Sequence, residues 1–214
     1  RRAAGLQASR VVETKNAERF ENSVEQAQEA ISGRLNTYVA ILQAGAGLFA
    51  AQDGAVSRAG FRAFADRLDL PHRFPGVQGI GYSRRVEPGE AADVEAYLRR
   101  QGAAGLTLVG SGRQTAQFPV LHLEPLDRRN RAAGGFDMFS EPVRRAAMEE
   151  ARDTGRAVTS GKVVLRQEID AHKQAGFLIY QPIYRGGPVP PSVEDRRERR
   201  DRLQHAVAFF LRLV

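Results

Sequence analysis

The central stretch of the chain reads Gly134-Gly135-Phe136-Asp137-Met138-Phe139-Ser140-Glu141-Pro142. Two glycines free the backbone, an aromatic residue and a carboxylate follow, and the last three residues are typical of a helix start. Ser140 can cap a helix, and Pro142 suits its first turn. Asp137 is therefore predicted just outside a helix N-terminus, where backbone N–H groups and the helix dipole favour a carboxylate.

Three roles are open for Asp137 on this evidence. It is a turn or capping aspartate in the simplest interpretation. It can also be the single polar anchor of an otherwise apolar small-molecule pocket. Finally, Arg144 follows one to two helical turns later and would form a structural ion pair with it.

The region before this stretch begins with a long proline-free segment, residues 6–51. Its apolar residues step by three or four positions, as on one helix face: Phe20, Val24, Ala27, Ile31, Leu35, Tyr38, Leu42, Gly45 and Phe49. This spacing predicts one helix of roughly 40 residues, against an average of about a dozen. Its first half is more polar, so we expect a stalk that is exposed or paired with a second copy there and packed on the domain later.

The rest of the chain alternates short helices with strands. Helices are predicted at 57–68, capped by Ser57, at 88–100, at 141–153, ended by Gly155, and in an arginine-rich segment capped by Ser192. Strands are predicted at 77–86, 106–109, 118–126, 157–160, 162–165, 176–184 and 205–210. This order favours an α+β fold with mostly antiparallel sheets over a doubly wound parallel sheet.

Composition narrows the class of protein. The chain has 214 residues, 42% of them hydrophobic, so it can bury a core. Its formal net charge is +7, and all but three of its 32 basic residues are arginine. The arginines are mixed with acids, and the densest run, residues 194–202, alternates in sign as a solvated helix face does. Nucleic-acid binding is therefore not predicted.

Enzymatic and metal motifs are absent from the sequence. There is no G-x-S-x-G, P-loop or H-E-x-x-H pattern and no convincing pair of nucleophile and base, so no hydrolase is expected. With no cysteine and with four histidines that never pair at helical spacing, neither a metal nor a cofactor is predicted. No apolar run reaches the ~18 residues that span a bilayer.

Five segments follow one another along the chain: Phe74-Pro75-Gly76-Val77-Gln78-Gly79-Ile80-Gly81-Tyr82, then Phe118-Pro119-Val120 through Glu124-Pro125-Leu126, Gly135-Phe136-Asp137 with Ser140-Glu141-Pro142-Val143-Arg144-Arg145-Ala146, Ala151-Arg152-Asp153-Thr154-Gly155, and Gly176-Phe177-Leu178-Ile179-Tyr180-Gln181-Pro182-Ile183-Tyr184. In this order they resemble the CHASE domain, the extracytoplasmic sensory domain of cyclases and histidine kinases, known from plant cytokinin receptors. Each segment alone is unspecific, whereas five in sequence are a specific signal.

The resemblance implies a stalk helix followed by two PAS-like α/β modules. The expected division is a stalk at 1–55, a membrane-distal ligand-binding module at 56–184, and a helix and strand of a membrane-proximal module at 185–214. It also implies a periplasmic domain of a bacterial inner-membrane protein, with flanking transmembrane helices that lead to a cytoplasmic histidine kinase or a cyclic-dinucleotide output domain. A homodimer through the N-terminal helix is expected as well.

The resemblance also points to site residues. Asp137 matches the aspartate that receives hydrogen bonds from the adenine part of the hormone in the cytokinin receptors. The strand after the helix places Val158 and Thr159 near the site. Further candidates for the pocket wall, each equally explained as plain core, are Phe118, Met138, Leu165, Phe177 and Tyr180. A ligand-free ectodomain that binds a protein partner or dimerises is the alternative function.

Overall fold

The computed structural model describes residues 2–52, 55–103, 106–108, 115–164, 175–184, 187–198 and 207–213. Its contacts define two compact units, Arg1–Ala40 and Ile41–Val214. The first unit is helix alone. The second contains the sheet, the remaining helices and every predicted site residue that the structure describes.

The predicted long helix is confirmed as α1, Arg2–Ala51. Three of its apolar residues in the first unit are exposed: Phe20 is 70% exposed, Val24 40% and Ile31 60%. Within the second unit, Leu42 and Phe49 of the same helix are buried. The sequence prediction of an exposed early half and a packed late half therefore holds for these residues.

Six further α-helices follow among the described residues. They are α2 (Arg58–Leu68), α3 (Leu70–Arg73), α4 (Ala91–Arg100), α5 (Arg128–Arg131), α6 (Pro142–Thr154) and α7 (Val193–Glu198). The predicted caps are confirmed, because the Ser57 hydroxyl accepts from the Gly60 amide at 3.0 Å and the Ser192 hydroxyl from the Asp195 amide at 2.9 Å. Gly155 ends α6 with a left-handed φ of 71°. Short-range cap chemistry thus sets these helix ends.

The strands in the described part of the chain form one antiparallel sheet, which confirms the α+β class. They are β1 (Val77–Ser83), β2 (Val120–Glu124), β3 (Val158–Thr159), β4 (Val163–Val164), β5 (Ala175–Ile183) and β6 (Val207–Leu213). Their order is β2-β1-β6-β5-β3, and β4 also pairs with β5. β6 follows position 185 in the chain and lies between β1 and β5, which precede that position, in the same sheet.

Two local predictions differ from the structure. Residues 106–108 form no strand, because the Leu108 amide donates to the Glu95 carboxylate at 2.8 Å rather than to a neighbouring strand. The cap of α6 is Glu141 and not Ser140, since both carboxylate oxygens of Glu141 accept amides of the first turn. In each case a glutamate side chain satisfies the backbone N–H groups.

The sheet has two different faces. The register aligns Leu123 of β2 with Gly81 of β1 and, through β6, with Tyr180 of β5, so Leu123 and Tyr180 share a face. We call this the α6 face, because its residues form one core with α6: Phe118, Val120, Leu123, Ala133, Phe136, Met138, Ala147, Met148, Ala151, Val163, Leu178 and Tyr180. The opposite face, here the α2 face, carries Tyr82 and His122, against which Phe61 of α2 packs.

Candidate functional site

The segment that contains Asp137 extends the sheet beyond β2. Pro119 and Asp137 form an antiparallel bridge, the Met138 amide donates to the Phe118 carbonyl at 2.9 Å, and the Val120 amide donates to the Phe136 carbonyl at 3.1 Å. Backbone pairing, rather than side-chain packing alone, therefore fixes where Asp137 lies.

The Asp137 carboxylate is buried and bound by the backbone. It is 4% exposed, and its Oδ1 atom accepts hydrogen bonds from the amides of Phe118, at 2.9 Å, and Phe139, at 3.0 Å. It thereby caps a 3₁₀ turn, Met138–Ser140, and the Ser140 hydroxyl donates back to the Asp137 carbonyl at 2.6 Å. The capping role anticipated from the sequence is present; the ligand role remains a prediction.

Gly135 sets the approach to this turn. Its φ is +74°, and a Cβ atom there would lie 2.1 Å from the Thr107 carbonyl oxygen. Only glycine fits both the left-handed backbone and the close contact. The glycine of the Gly-Phe-Asp segment is thus required by the neighbouring 106–108 segment.

A buried cation lies beside the same segment. Arg144, in the first turn of α6, is 4% exposed, and its guanidinium carbon is 5.2 Å from the centre of the Phe136 ring. Its Nη1 atom donates to the Met138 sulfur at 3.3 Å, and its Nε atom is 3.8 Å from the Glu141 carboxylate. Because a guanidinium stays charged at any ordinary pH, this apolar core holds a permanent positive charge.

Tyr180 brings a hydroxyl to the same core from β5. The residue is fully buried, and burial raises the pKa of its hydroxyl, an effect that the nearby Arg144 charge opposes. The hydroxyl is therefore protonated at neutral pH and can donate a hydrogen bond. Asp137, Arg144 and Tyr180 are the polar side chains around the core of the α6 face that we single out.

The structure brings together some of the predicted pocket residues and separates others. Phe118, Met138 and Tyr180 belong to the core of the α6 face, with Val158 packed against it. Thr159 pairs with Ile179, one position from Tyr180, so its side chain and that of Phe177 point to the other face. Leu165 lies outside the described residues.

Sequence reasoning missed the contribution of the first turn of α6. The sequence predicts no role for Arg144 in the site beyond an ion pair with Asp137, and the predicted site residues do not include Phe136 or Phe139. The available signal was the helical spacing, because Arg144, Ala147, Met148 and Ala151 are the buried positions of α6. An arginine at a core position of an amphipathic helix is rare and points to a polar feature inside the core.

The described residues support neither a metal centre nor a membrane-spanning segment. No group of three metal-binding side chains comes together among them. In the same part of the chain, no helix combines the length and the apolar character needed to cross a bilayer.

Comparison with known proteins places the chain in a family. The CHASE domain family matches residues 54–213. The chain is also 31% identical over 84 residues to hybrid signal transduction histidine kinase A of Dictyostelium discoideum, an alignment that covers 37% of this chain and 4% of that protein. The chain thus spans a small part of the length of this relative.

The family match includes the Asp137 turn, α6 and all six strands. CHASE domains are sensory rather than catalytic, and they are typically extracellular. Since the match covers most of the sequence, this chain belongs to the CHASE domain family of sensor domains found in signalling receptors.

Proposed function

We propose that this chain is the extracytoplasmic sensor domain of a bacterial transmembrane receptor, which binds a small molecule on the α6 face and signals through α1 to a cytoplasmic kinase or cyclase. The family match supports the sensory role, and the histidine kinase relative supports an output of that kind. The observation that carries the ligand proposal is an apolar core with three polar side chains, Asp137, Arg144 and Tyr180, around it. Small-molecule sites likewise combine apolar side chains with a few polar groups that orient the ligand.

Binding would act by shifting a conformational equilibrium. A ligand can favour one arrangement of the receptor only by as much as its affinities for the two arrangements differ. In our proposal Asp137 accepts N–H groups of an adenine-like or other ligand, while Phe118, Met138 and Val158 supply apolar contact. Each hydrogen bond to the carboxylate is worth about 1.5–3 kcal/mol.

We propose further that the receptor is a homodimer through the first part of α1. Phe20, Val24 and Ile31 are exposed there, and their spacing of four and then seven residues suits a two-stranded coiled-coil seam. A second copy of the same helix carries the same stripe and can cover it symmetrically.

The alternative is a ligand-free ectodomain that binds a protein partner. One observation favours it: the Oδ1 atom of Asp137 already accepts two backbone amides, so the aspartate has a structural task without any ligand. The two functions differ in whether a small molecule stabilises the isolated domain.

The deciding experiment is a thermal-shift screen with adenine-type compounds, other purines, amino acids and organic acids. A ligand at a hundred times its dissociation constant stabilises the native state by about 2.7 kcal/mol, which raises Tm by several degrees. Asp137→Ala should weaken binding at least tenfold, because it removes the anchor. A library without any shift would favour the partner-binding function.

A matched control separates lost binding from lost stability. Asp127 caps α5 by accepting the Asn130 amide at 2.7 Å, so Asp127→Ala removes a comparable cap away from the proposed site. Each variant is compared with its own ligand-free Tm. If Asp127→Ala loses the ligand shift as fully as Asp137→Ala does, Asp137 is not the anchor.

A further inference from the structure

Four aromatic rings join α1 and α2 to the α2 face of the sheet. Phe49 of α1 stacks on Tyr82 of β1 with ring centres 3.9 Å apart and planes within 11°. Tyr82 is followed by His122 of β2 at 5.5 Å, and His122 by Phe61 of α2 at 5.2 Å. Phe61 returns to Phe49 edge-on at 6.1 Å, which closes the group. We refer to Phe49, Phe61, Tyr82 and His122 as the aromatic joint.

His122 is the polar member of the joint. Its side chain is 3% exposed, and its ring interacts with the backbone of Val56. The Nδ1 atom is buried and has no hydrogen-bond partner among the residues that the structure describes. A neutral imidazole tolerates this because it can place its proton on the other nitrogen, whereas an imidazolium carries two N–H donors and needs an acceptor for each.

Among the described residues, charged groups near His122 lie on α2 and on β2, its own strand. Arg58 of α2 acts on His122 and also on Glu124, two residues further along β2. Arg62 and Asp66 of α2 act on Glu124. From α1 and β1 the joint presents Phe49 and Tyr82, whose rings carry no charge at neutral pH. The cation Arg58 therefore opposes a second positive charge in the joint.

We propose that the aromatic joint is an acid-sensitive connection: it holds α1 and α2 on the sheet while His122 is neutral, and protonation of His122 loosens it. The domain would then respond to acidification as a signal of its own, beyond the proposed small-molecule site and independent of it. The structural basis is a buried imidazole between Phe61 and Tyr82, with a neighbouring arginine and with an Nδ1 atom that no described residue hydrogen-bonds.

The direction of the effect follows from burial. Burial, and secondarily Arg58, lower the pKa of His122 from 6.5 to about 4. An opened joint exposes His122 to water and restores its ordinary pKa, so the open form binds more protons between pH 6.5 and pH 4. The equilibrium constant for opening should therefore rise about 100-fold between pH 7 and pH 4. In the closed joint, cation–π attraction between the imidazolium and the neighbouring rings stabilises the protonated form and so offsets part of this rise.

Glu124 has the opposite effect to His122 on the pH dependence of the joint's stability. Burial raises the pKa of its carboxyl above the usual range. Its contribution to stability is therefore present at low pH and is lost as pH rises through that raised value. Acidification strengthens the joint through Glu124 and weakens it through His122, so the two must be separated experimentally.

The test is amide hydrogen exchange of residues 41–51 and 58–68 between pH 7 and pH 4, expressed as protection relative to the unstructured chain at each pH. We expect protection in the wild type to fall 30- to 100-fold over this range. His122→Phe keeps a ring but cannot take up a proton, and it should abolish most of the fall. Glu124→Gln should retain it or steepen it.

Two further variants keep the test decisive. His122→Gln serves if the phenylalanine disturbs packing, since it is neutral throughout the range. His72→Gln is the matched control, because His72 is exposed, is paired with Asp69 at 2.6 Å and is not one of the four rings of the joint. Protection that falls equally in the wild type and both His122 variants would overturn the proposal, as would a wild type whose protection is constant.

Discussion

Arg197 of α7 forms an ion pair with two hydrogen bonds to the carboxylate of Asp153, which lies in the last turn of α6. Its Nε atom donates to Asp153 Oδ1 at 3.1 Å, and its Nη2 atom donates to Oδ2. Arg196 adds a hydrogen bond from Nη1 to the Asp153 carbonyl at 2.6 Å. Two cations thus meet the negative end of the α6 dipole, which is the favourable arrangement at a helix C-terminus. The Ala-Arg-Asp-Thr-Gly motif at 151–155 is where α7 attaches.

This contact predicts that removing the charge of Asp153 lowers the stability of the domain by an amount that depends on pH. The hydrogen bond from Arg197 holds the pKa of the Asp153 carboxyl well below its usual range, against the effect of burial. The stabilisation is therefore complete above about pH 3.9, the ordinary aspartate value, and is lost as pH falls toward the lowered value. Asp153→Asn should cost about 1 kcal/mol at pH 7 in urea unfolding, a modest figure because Arg197 is mostly exposed.

The pH series provides its own check on this prediction. The difference between Asp153→Asn and the wild type should shrink below pH 3.9. Asp66→Asn is the control, because Asp66 forms an exposed pair with Arg62 at 3.9 Å and should change stability by a few tenths of a kcal/mol at most. A constant difference down to pH 2 would mean that the Asp153 charge is not responsible.

Gly135→Ala tests the close contact between the Asp137 segment and Thr107. An alanine at this position would have to adopt a φ of +74°, and its Cβ atom would clash with the Thr107 carbonyl oxygen, so the segment must shift. Gly102→Ala is the matched control, because φ there is +82° with open space around the Cβ position. We expect about 1–2 kcal/mol for Gly102→Ala in urea unfolding and at least 2 kcal/mol more for Gly135→Ala. Equal losses would show that the backbone conformation alone matters.

Structural features that depend on local interactions were predictable from the sequence. The caps at Ser57, Ser192 and Gly155 were predictable because a cap involves residues within one turn. The position of β6 between β1 and β5 could not be predicted, because it depends on the pairing of β6 with β1, which is more than a hundred residues away in the sequence. The placement of Phe177 and Tyr180 on opposite faces of the sheet could have been predicted, because residues three apart on a strand point to opposite faces.

Arg144→Met tests whether the buried charge serves stability or the proposed ligand site. Methionine has a similar volume and suits the apolar contacts with Phe136 and Met138, and replacing a buried charge by an apolar residue of similar volume is often neutral or stabilising. We therefore expect the free energy of unfolding to stay within about 1 kcal/mol of the wild type. Arg144→Ala should lose about 3 kcal/mol, because it also leaves a cavity.

The ligand screen then decides the role of the charge. If a compound that stabilises the wild type no longer stabilises Arg144→Met, while both proteins are equally stable alone, the guanidinium contributes to binding. An Arg144→Met variant that unfolds several kcal/mol more easily would instead assign the guanidinium to the fold.

The stalk offers the clearest test of assembly. Ile31 is 60% exposed, so Ile31→Asp removes little packing within one copy, whereas a coiled-coil seam would place a charge opposite its symmetry mate. Sedimentation equilibrium should show a dimer for the wild type and a dissociation constant at least tenfold weaker for Ile31→Asp, with the Tm of the sheet-containing unit nearly unchanged. Ser32→Asp adds the same charge at an exposed neighbouring position off the apolar stripe and should leave the dimer intact. A wild type that stays monomeric at every concentration, or a Ser32→Asp variant that dissociates equally, would reject the stripe as the dimer seam.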